Sequence, residues 1–156
     1  MTTPTFEEGA GSMQAFHQDE LDAGRLLVQR CSACSRHVYY PRTSCPHCGS
    51  AALQWKMPSG LGTVHAVTTV RRKPADGGDL NVSLIDLDEG VRLMSRVDNL
   101  APDAVRIGQR VRARVQVKDG RGLVLFDAIE GGTACIAHWK KNSLSTMRRQ
   151  LTDRTG

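Results

Sequence analysis

At 156 residues, 40% hydrophobic and 24% charged, the chain has the make-up of one globular domain, or of a small domain with a satellite. Its longest apolar runs, such as Leu26–Val28 and Leu123–Phe126, are far too short to cross a bilayer, so no membrane partner is expected. The net charge of +5 divides into −5 over residues 1–24, which hold five carboxylates and no Lys or Arg, and +10 over the remainder. Such a basic body fits a phosphate-bearing ligand, nucleic acid, or plain solvent.

Residues 1–11, with Pro4, Gly9 and Gly11, read as a disordered leader. They show no basic segment followed by an apolar run, so the expected location is the cytoplasm, where short-spaced cysteines act as metal ligands rather than disulfides. Residues 12–24 predict a helix: Ser12 can cap it, Met13, Phe16 and Leu21 share a face, and Gly24 can end it. A strand over Arg25–Arg30 then leads into the ribbon, whose expected span is 25–58.

Two pairs, Cys31-Ser-Ala-Cys34 and Cys45-Pro-His-Cys48, stand ten residues apart. Each pair makes a tight knuckle, and two knuckles can close a tetrahedral sulfur cage that zinc favours and iron accepts. A closed four-thiolate site leaves no position for substrate, so its role is structural. Gly49 suits the bend after the second knuckle, while Ser35 holds that place after the first. His37 and His47 are expected to face solvent.

From residue 59 to 131 the pattern changes to short β segments: Thr63–Val70, Asn81–Leu87, Val91–Val97, Gln109–Val117 and Leu123–Ile129. In the first, Val64, Ala66, Thr68 and Val70 alternate on one side. In the fourth, Val111, Ala113, Val115 and Val117 oppose Arg110, Arg112 and Arg114. Asp88-Glu89-Gly90 marks a hairpin, and turn formation explains Asp86, Asp88 and Glu89. Five such strands fit a small closed barrel of the OB type. Residues 132–156 form a basic tail, for which a packed helix and a disordered extension both fit. Cys135, near His138, lacks a visible oxyanion site and reads as an ordinary cysteine.

The run Gly24-Arg-Leu-Leu-Val-Gln-Arg-Cys31, the two knuckles, Tyr40-Pro41-Arg42, Gly60-Leu-Gly-Thr-Val64 and Ile107-Gly108 together resemble one family. It is the zinc-ribbon plus OB-fold family catalogued as domain of unknown function thirty-five, and the likeness covers about residues 13–131. The resemblance implies an accessory role beside a thiolase-like or hot-dog-fold enzyme of acyl-CoA metabolism, with Cys31, Cys34, Cys45 and Cys48 as metal ligands. The expected fold class is therefore mostly β: an N-terminal helix, a four-cysteine ribbon, a five-stranded barrel and a basic tail.

Arg71, Arg72 and Lys73, leaving a strand before a flexible loop, are candidates for CoA phosphates. Phe16 is the candidate partner contact. The competing reading is a nucleic-acid module, favoured by the basic body and the fold. Against it, the only Phe, Tyr or Trp between Gly60 and Gly131 is Phe126, in an apolar run that reads as core, so no stacking platform is visible. No nucleophile elbow, phosphate loop or dinucleotide fingerprint is present, which leaves an enzyme last.

Overall fold

A computed structural model describes residues 11–129, so the leader over residues 1–10, the tail and Cys135 lie outside the described residues. Helix α1 spans Met13–Asp22, and Ser12 caps it by accepting a hydrogen bond from the Ala15 amide. Its inward face carries Leu21 together with buried His17 and Glu20. Glu20 is matched by Arg25 in a two-pronged ion pair, at 2.6 and 3.0 Å. No helix among the described residues is long and apolar enough to cross a membrane.

Strands β1 (Val28–Cys31), β2 (His37–Val38) and β3 (Leu53–Lys56) form an antiparallel ribbon sheet in the order β2-β1-β3. A second sheet holds β4 (Leu61–Val70), β5 (Leu80–Leu87), β6 (Arg92–Ser95), β7 (Arg110–Lys118) and β8 (Arg121–Ala128), in the order β6-β5-β4-β7-β8. This sheet curls until its two outer strands nearly meet. A parallel bridge between Val97 and Phe126 joins them, through Phe126 N–H to Arg96 O at 3.0 Å and Asp98 N–H to Phe126 O at 2.8 Å. The five expected barrel strands are all present, and the curled sheet is an OB-like half-barrel.

Phe126 is fully buried, among Val64, Ile85, Leu93, Val97 and Val111. Val28 of the ribbon joins the same cluster, so ribbon and barrel share one core.

Two facing assignments need correction. A bulge between Val64 and Ala66 shifts the β4 register by one residue, and a one-residue slip exchanges the two faces of a strand. Beyond it Val67 packs on the core, while Thr68 and Val70 turn to solvent. On β7 the inward face fades from Val111, fully buried, to Val117, 47% exposed, because the β7–β8 hairpin runs past its neighbour β4, which pairs only with Arg110–Arg112.

Candidate metal centre and its surroundings

The two knuckles repeat the same backbone pattern. Ser35 N–H donates to Cys31 O at 2.9 Å and Gly49 N–H to Cys45 O at 2.8 Å. Cys31 N–H donates to Arg36 O at 2.9 Å and Cys45 N–H to Ser50 O at 2.8 Å. Both fifth positions are left-handed, with φ of 63° at Ser35 and 76° at Gly49. A serine therefore adopts the bend that a glycine makes freely, at a steric cost. Ser35→Gly is expected to stabilise the first knuckle by about 0.5–1 kcal/mol. A raised thermal midpoint with unchanged metal stoichiometry checks this.

The knuckles face each other. Cys31 Sγ lies 3.6 Å from Cys48 Sγ, Cys34 Sγ lies 3.6 Å from Cys45 Sγ, and all four sulfurs fall within 4.8 Å of one another. A disulfide would need about 2.05 Å. Four sulfurs about 2.3 Å from a tetrahedral ion stand roughly 3.8 Å apart, so the cage fits a metal ion directly. Cys31 and Cys45 are buried while Cys48 is exposed, so the cluster sits at the ribbon's rim. The amide of Cys34, then that of Ala33, draws the Cys31 thiol down to about 7. Against the Ser50 amide, the Cys31 side chain and then burial push its neighbour Cys48 up to about 12. A bound ion has to displace the proton these two sulfurs share.

Behind the cage, α1 and the ribbon meet through aromatic rings. Phe16 packs on Trp55 with centroids 5.3 Å apart, and His17 stacks on the same indole at 5.9 Å. Burial pushes the His17 pKa below its ordinary value, against a backbone hydrogen bond to Leu27 that raises it. Phe16, the expected partner contact, is thus half-buried inside the chain's own helix–ribbon junction. Residue patterns did not mark His17, or Gln29, which is 1% exposed on β1.

The basic candidates Arg71, Arg72 and Lys73 lie where β4 leaves the sheet, beside Asp76 and Asp79. Arg71 bonds Asp79 at 2.5 Å, the Arg72 amide donates to Asp79 Oδ1 at 2.9 Å, and the Arg72 guanidinium donates to Asp76 O. Within the run only Arg71 is paired with a carboxylate; the Arg72 guanidinium is held by a backbone carbonyl, and neither it nor Lys73 forms an ion pair among the described residues. The Arg71 guanidinium, followed by the Arg72 amide, holds Asp79 below the usual carboxylate range. Similarly, Arg110 grips Asp88 at 2.7 and 2.8 Å, and Arg114 reaches Asp127 and Asp98 at 3.0 and 2.9 Å. Two of the three arginines on that row are therefore committed to carboxylates. Asp86 is bound by Arg92, and Glu89 accepts the Ser59 amide at 2.6 Å. The acids around the hairpin are structural ties.

Comparison with known proteins adds the following. Residues 18–54 match the rubredoxin-like zinc ribbon domain of ChsH2, and residues 55–116 match its C-terminal OB-fold domain. A DUF35 domain-containing scaffold protein of Methanocaldococcus jannaschii is 31% identical over 109 residues, covering 65% of this chain and 77% of that protein. A probable enoyl-CoA hydratase alpha subunit of Thermomonospora curvata is 33% identical over 99 residues, or 62% of this chain. The chain spans only 31% of that protein's length. Among solved structures, the one titled Ltp2-ChsH2(DUF35) aldolase superposes with a TM-score of 0.67 at 28% identity, covering 78% of this chain and 98% of that one.

Proposed function

This chain belongs to the DUF35 family of zinc-ribbon and OB-fold proteins, and on that premise we propose that it is a non-catalytic accessory subunit of an enzyme complex acting on acyl-CoA. The partner would be a thiolase-like or hot-dog-fold enzyme. The observation that carries the reading is the likeness to the Ltp2-ChsH2(DUF35) aldolase chain, which is matched over nearly its whole length. The relatives named as scaffold proteins and as an enoyl-CoA hydratase subunit agree with it. Zinc is the ion we assign to the cage: four thiolates at tetrahedral spacing suit it, and the matched domain is described as a zinc ribbon. The metal's task is to hold the ribbon's fold.

Chemically, the described residues contribute surface. Asp86, Asp88, Asp79 and Glu20 are spent on arginines, and the cysteines are spent on the cage. A partner's reactive groups would act while this subunit orders or encloses the thioester, and positioning alone can lower a barrier.

The test is direct. A pull-down should recover an acyl-CoA enzyme, and its steady-state rate or solubility should rise when this chain is added. The chain alone should turn over no acyl-CoA. Failure to associate with any such enzyme, or an unchanged rate and solubility in the mixture, would sink the proposal. Substituting Phe16 by Asp should weaken association, with Trp55 emission monitored because that substitution also disturbs the Phe16–Trp55 contact.

A further inference from the structure

Charge is divided unevenly between the two halves of the molecule. In the barrel, five of the nine arginines, Arg71, Arg92, Arg96, Arg110 and Arg114, end on carboxylates. The ribbon has none to offer: from Ala23 to Ala75 the sequence contains no Asp or Glu. Arg25 reaches back to Glu20 on α1. Arg30, Arg36, Arg42 and Lys56 form no ion pair among the described residues. A divalent ion in four thiolates carries two negative charges and offsets about half of these cations. An excess remains on this face.

Part of that excess borders a cleft. Between the ribbon and the β5–β6 turn lies an open cavity of about 230 Å³, lined by His37, Tyr39, Tyr40, Arg42, His47 and Arg92, with no carboxylate in its wall. The loop carrying Tyr40 and Arg42 is held in place by Gln29. That buried amide donates to Arg42 O at 3.0 Å and accepts from Arg42 N–H at 2.8 Å, so both of its polar ends are spent on one residue's backbone. A second tie runs from Gln29 to Met13 Sδ on α1 at 3.4 Å. Tyr39 is the half-buried neighbour, its phenol pushed up to about 12 by burial and then by Tyr40, so it stays neutral. Tyr40 stands edge-on to it at 5.0 Å and keeps 58% of its surface exposed.

An exposed ring on a clamped loop, beside an unpaired guanidinium, matches a phosphorylated nucleotide: the base stacks on the ring and the phosphate takes the fork of the arginine. We propose that this cleft binds the nucleotide end of the acyl-CoA, with the base on Tyr40 and a phosphate on Arg42. This rests on the accessory-subunit reading and names its contact with the ligand. It moves that contact from the Arg71–Lys73 loop, where the Asp79 carboxylate holds Arg71 and the Asp76 carbonyl holds Arg72, to the ribbon, whose own sequence contains no acid.

The experiment is calorimetric titration of the full chain with adenosine 3′,5′-bisphosphate, with pantetheine, ATP and a single-stranded oligonucleotide run in parallel. The bisphosphate should bind saturably, and pantetheine should not. Arg42→Gln should weaken binding roughly tenfold, the worth of one charge-assisted hydrogen bond. Tyr40→Ala should weaken it by a similar factor of roughly ten, and Tyr40→Phe should keep it. Lys73→Gln should leave it unchanged. Metal stoichiometry and circular dichroism confirm that each variant folds. Absence of bisphosphate binding, or equal binding by Arg42→Gln, overturns the cleft assignment. ATP binding as tight as the bisphosphate, or an oligonucleotide binding tighter, overturns the ligand assignment. If the cleft fails while the chain still raises its partner's rate, the accessory role stands without it.

Discussion

Cys45→Ser should release the metal and unfold the ribbon while the five-stranded barrel keeps its β-sheet signal. The ribbon sheet is three strands of four, two and four residues, and β2 is paired only through Val38 and His37. Three so short strands do not stand alone. Closed thiolate sites contribute on the order of 10 kcal/mol of apparent folding free energy, more than such a sheet supplies by packing. Cys45 is 2% exposed, so a serine there leaves a buried hydroxyl facing three thiolates. The measurements are zinc per chain, about one in the native protein, and Trp55 emission in a Trp139→Phe background. Stripping the metal with a chelator should reproduce the variant. Acid should do so too, because protons compete with the ion for the thiolates. The barrel will not be untouched, since Val28 sits in its core and Tyr39 packs against it, so its thermal midpoint should fall. A metal-free variant with an ordered ribbon would contradict the structural role.

Gly122→Ala is the second large effect, and it acts at the opposite side of α1. Gly122 lies on β8 where the hairpin crosses the helix end. A Cβ there would come within 2.7 Å of Asp22 N and overlap the Leu21 carbonyl. Nothing in that contact is a flexible side-chain tip that could move aside. The helix must lift, at a cost of about 1–3 kcal/mol for the overlap. Lifting also breaks the clasp in which Gly122 N–H donates to Asp22 Oδ1 at 2.6 Å and Gln18 Nε2 donates to Gly122 O at 3.1 Å. A thermal midpoint lowered by several degrees and loss of amide protection at Gly122 are expected. Unchanged values for both would show that the helix does not dock as described. The same clasp gives a pH dependence. The Gly122 amide, then Gln18, holds the Asp22 carboxyl below its ordinary range. Its contribution is therefore complete above the ordinary carboxylate pKa and fades as pH falls through the lowered value. Helix docking should weaken in acid, and Asp22→Asn should flatten that dependence.

The sequence made the metal ligands legible because two knuckles at that spacing have few other uses, and it made the barrel legible because period-two patterning and turn residues mark each strand. Phe126 as core followed from its apolar run. What escaped has physical reasons. The β4 bulge sits at His65, with no glycine or proline to announce it, so period-two alternation runs straight through it and puts Thr68 and Val70 on the wrong face. Strand β2 has two residues, too few to show any period. Arg71 reads as a free cation in the sequence because its partner Asp79 lies eight residues on, across a turn that only the fold brings back. Conversely, Tyr40-Pro41-Arg42 was visible as a motif, yet its cleft depends on Gln29, eleven residues before Tyr40.

The bridge between Val97 and Phe126, and the clasp linking Asp22 to a residue 100 positions later, also fix an order of events during synthesis. The knuckles lie within eighteen consecutive residues, so the ribbon can take its ion as soon as it emerges. Neither the barrel seam nor the clasp at the end of α1 exists until β8 has been made. The first helix can pack on Trp55 of the ribbon early, but its C-terminal end must wait for the last strand, which gates the native state. Closures over so long a stretch of chain are slow, on the scale of milliseconds to seconds. During that interval a nascent chain is most open to chaperones, and to a partner that reaches the helix before the barrel does.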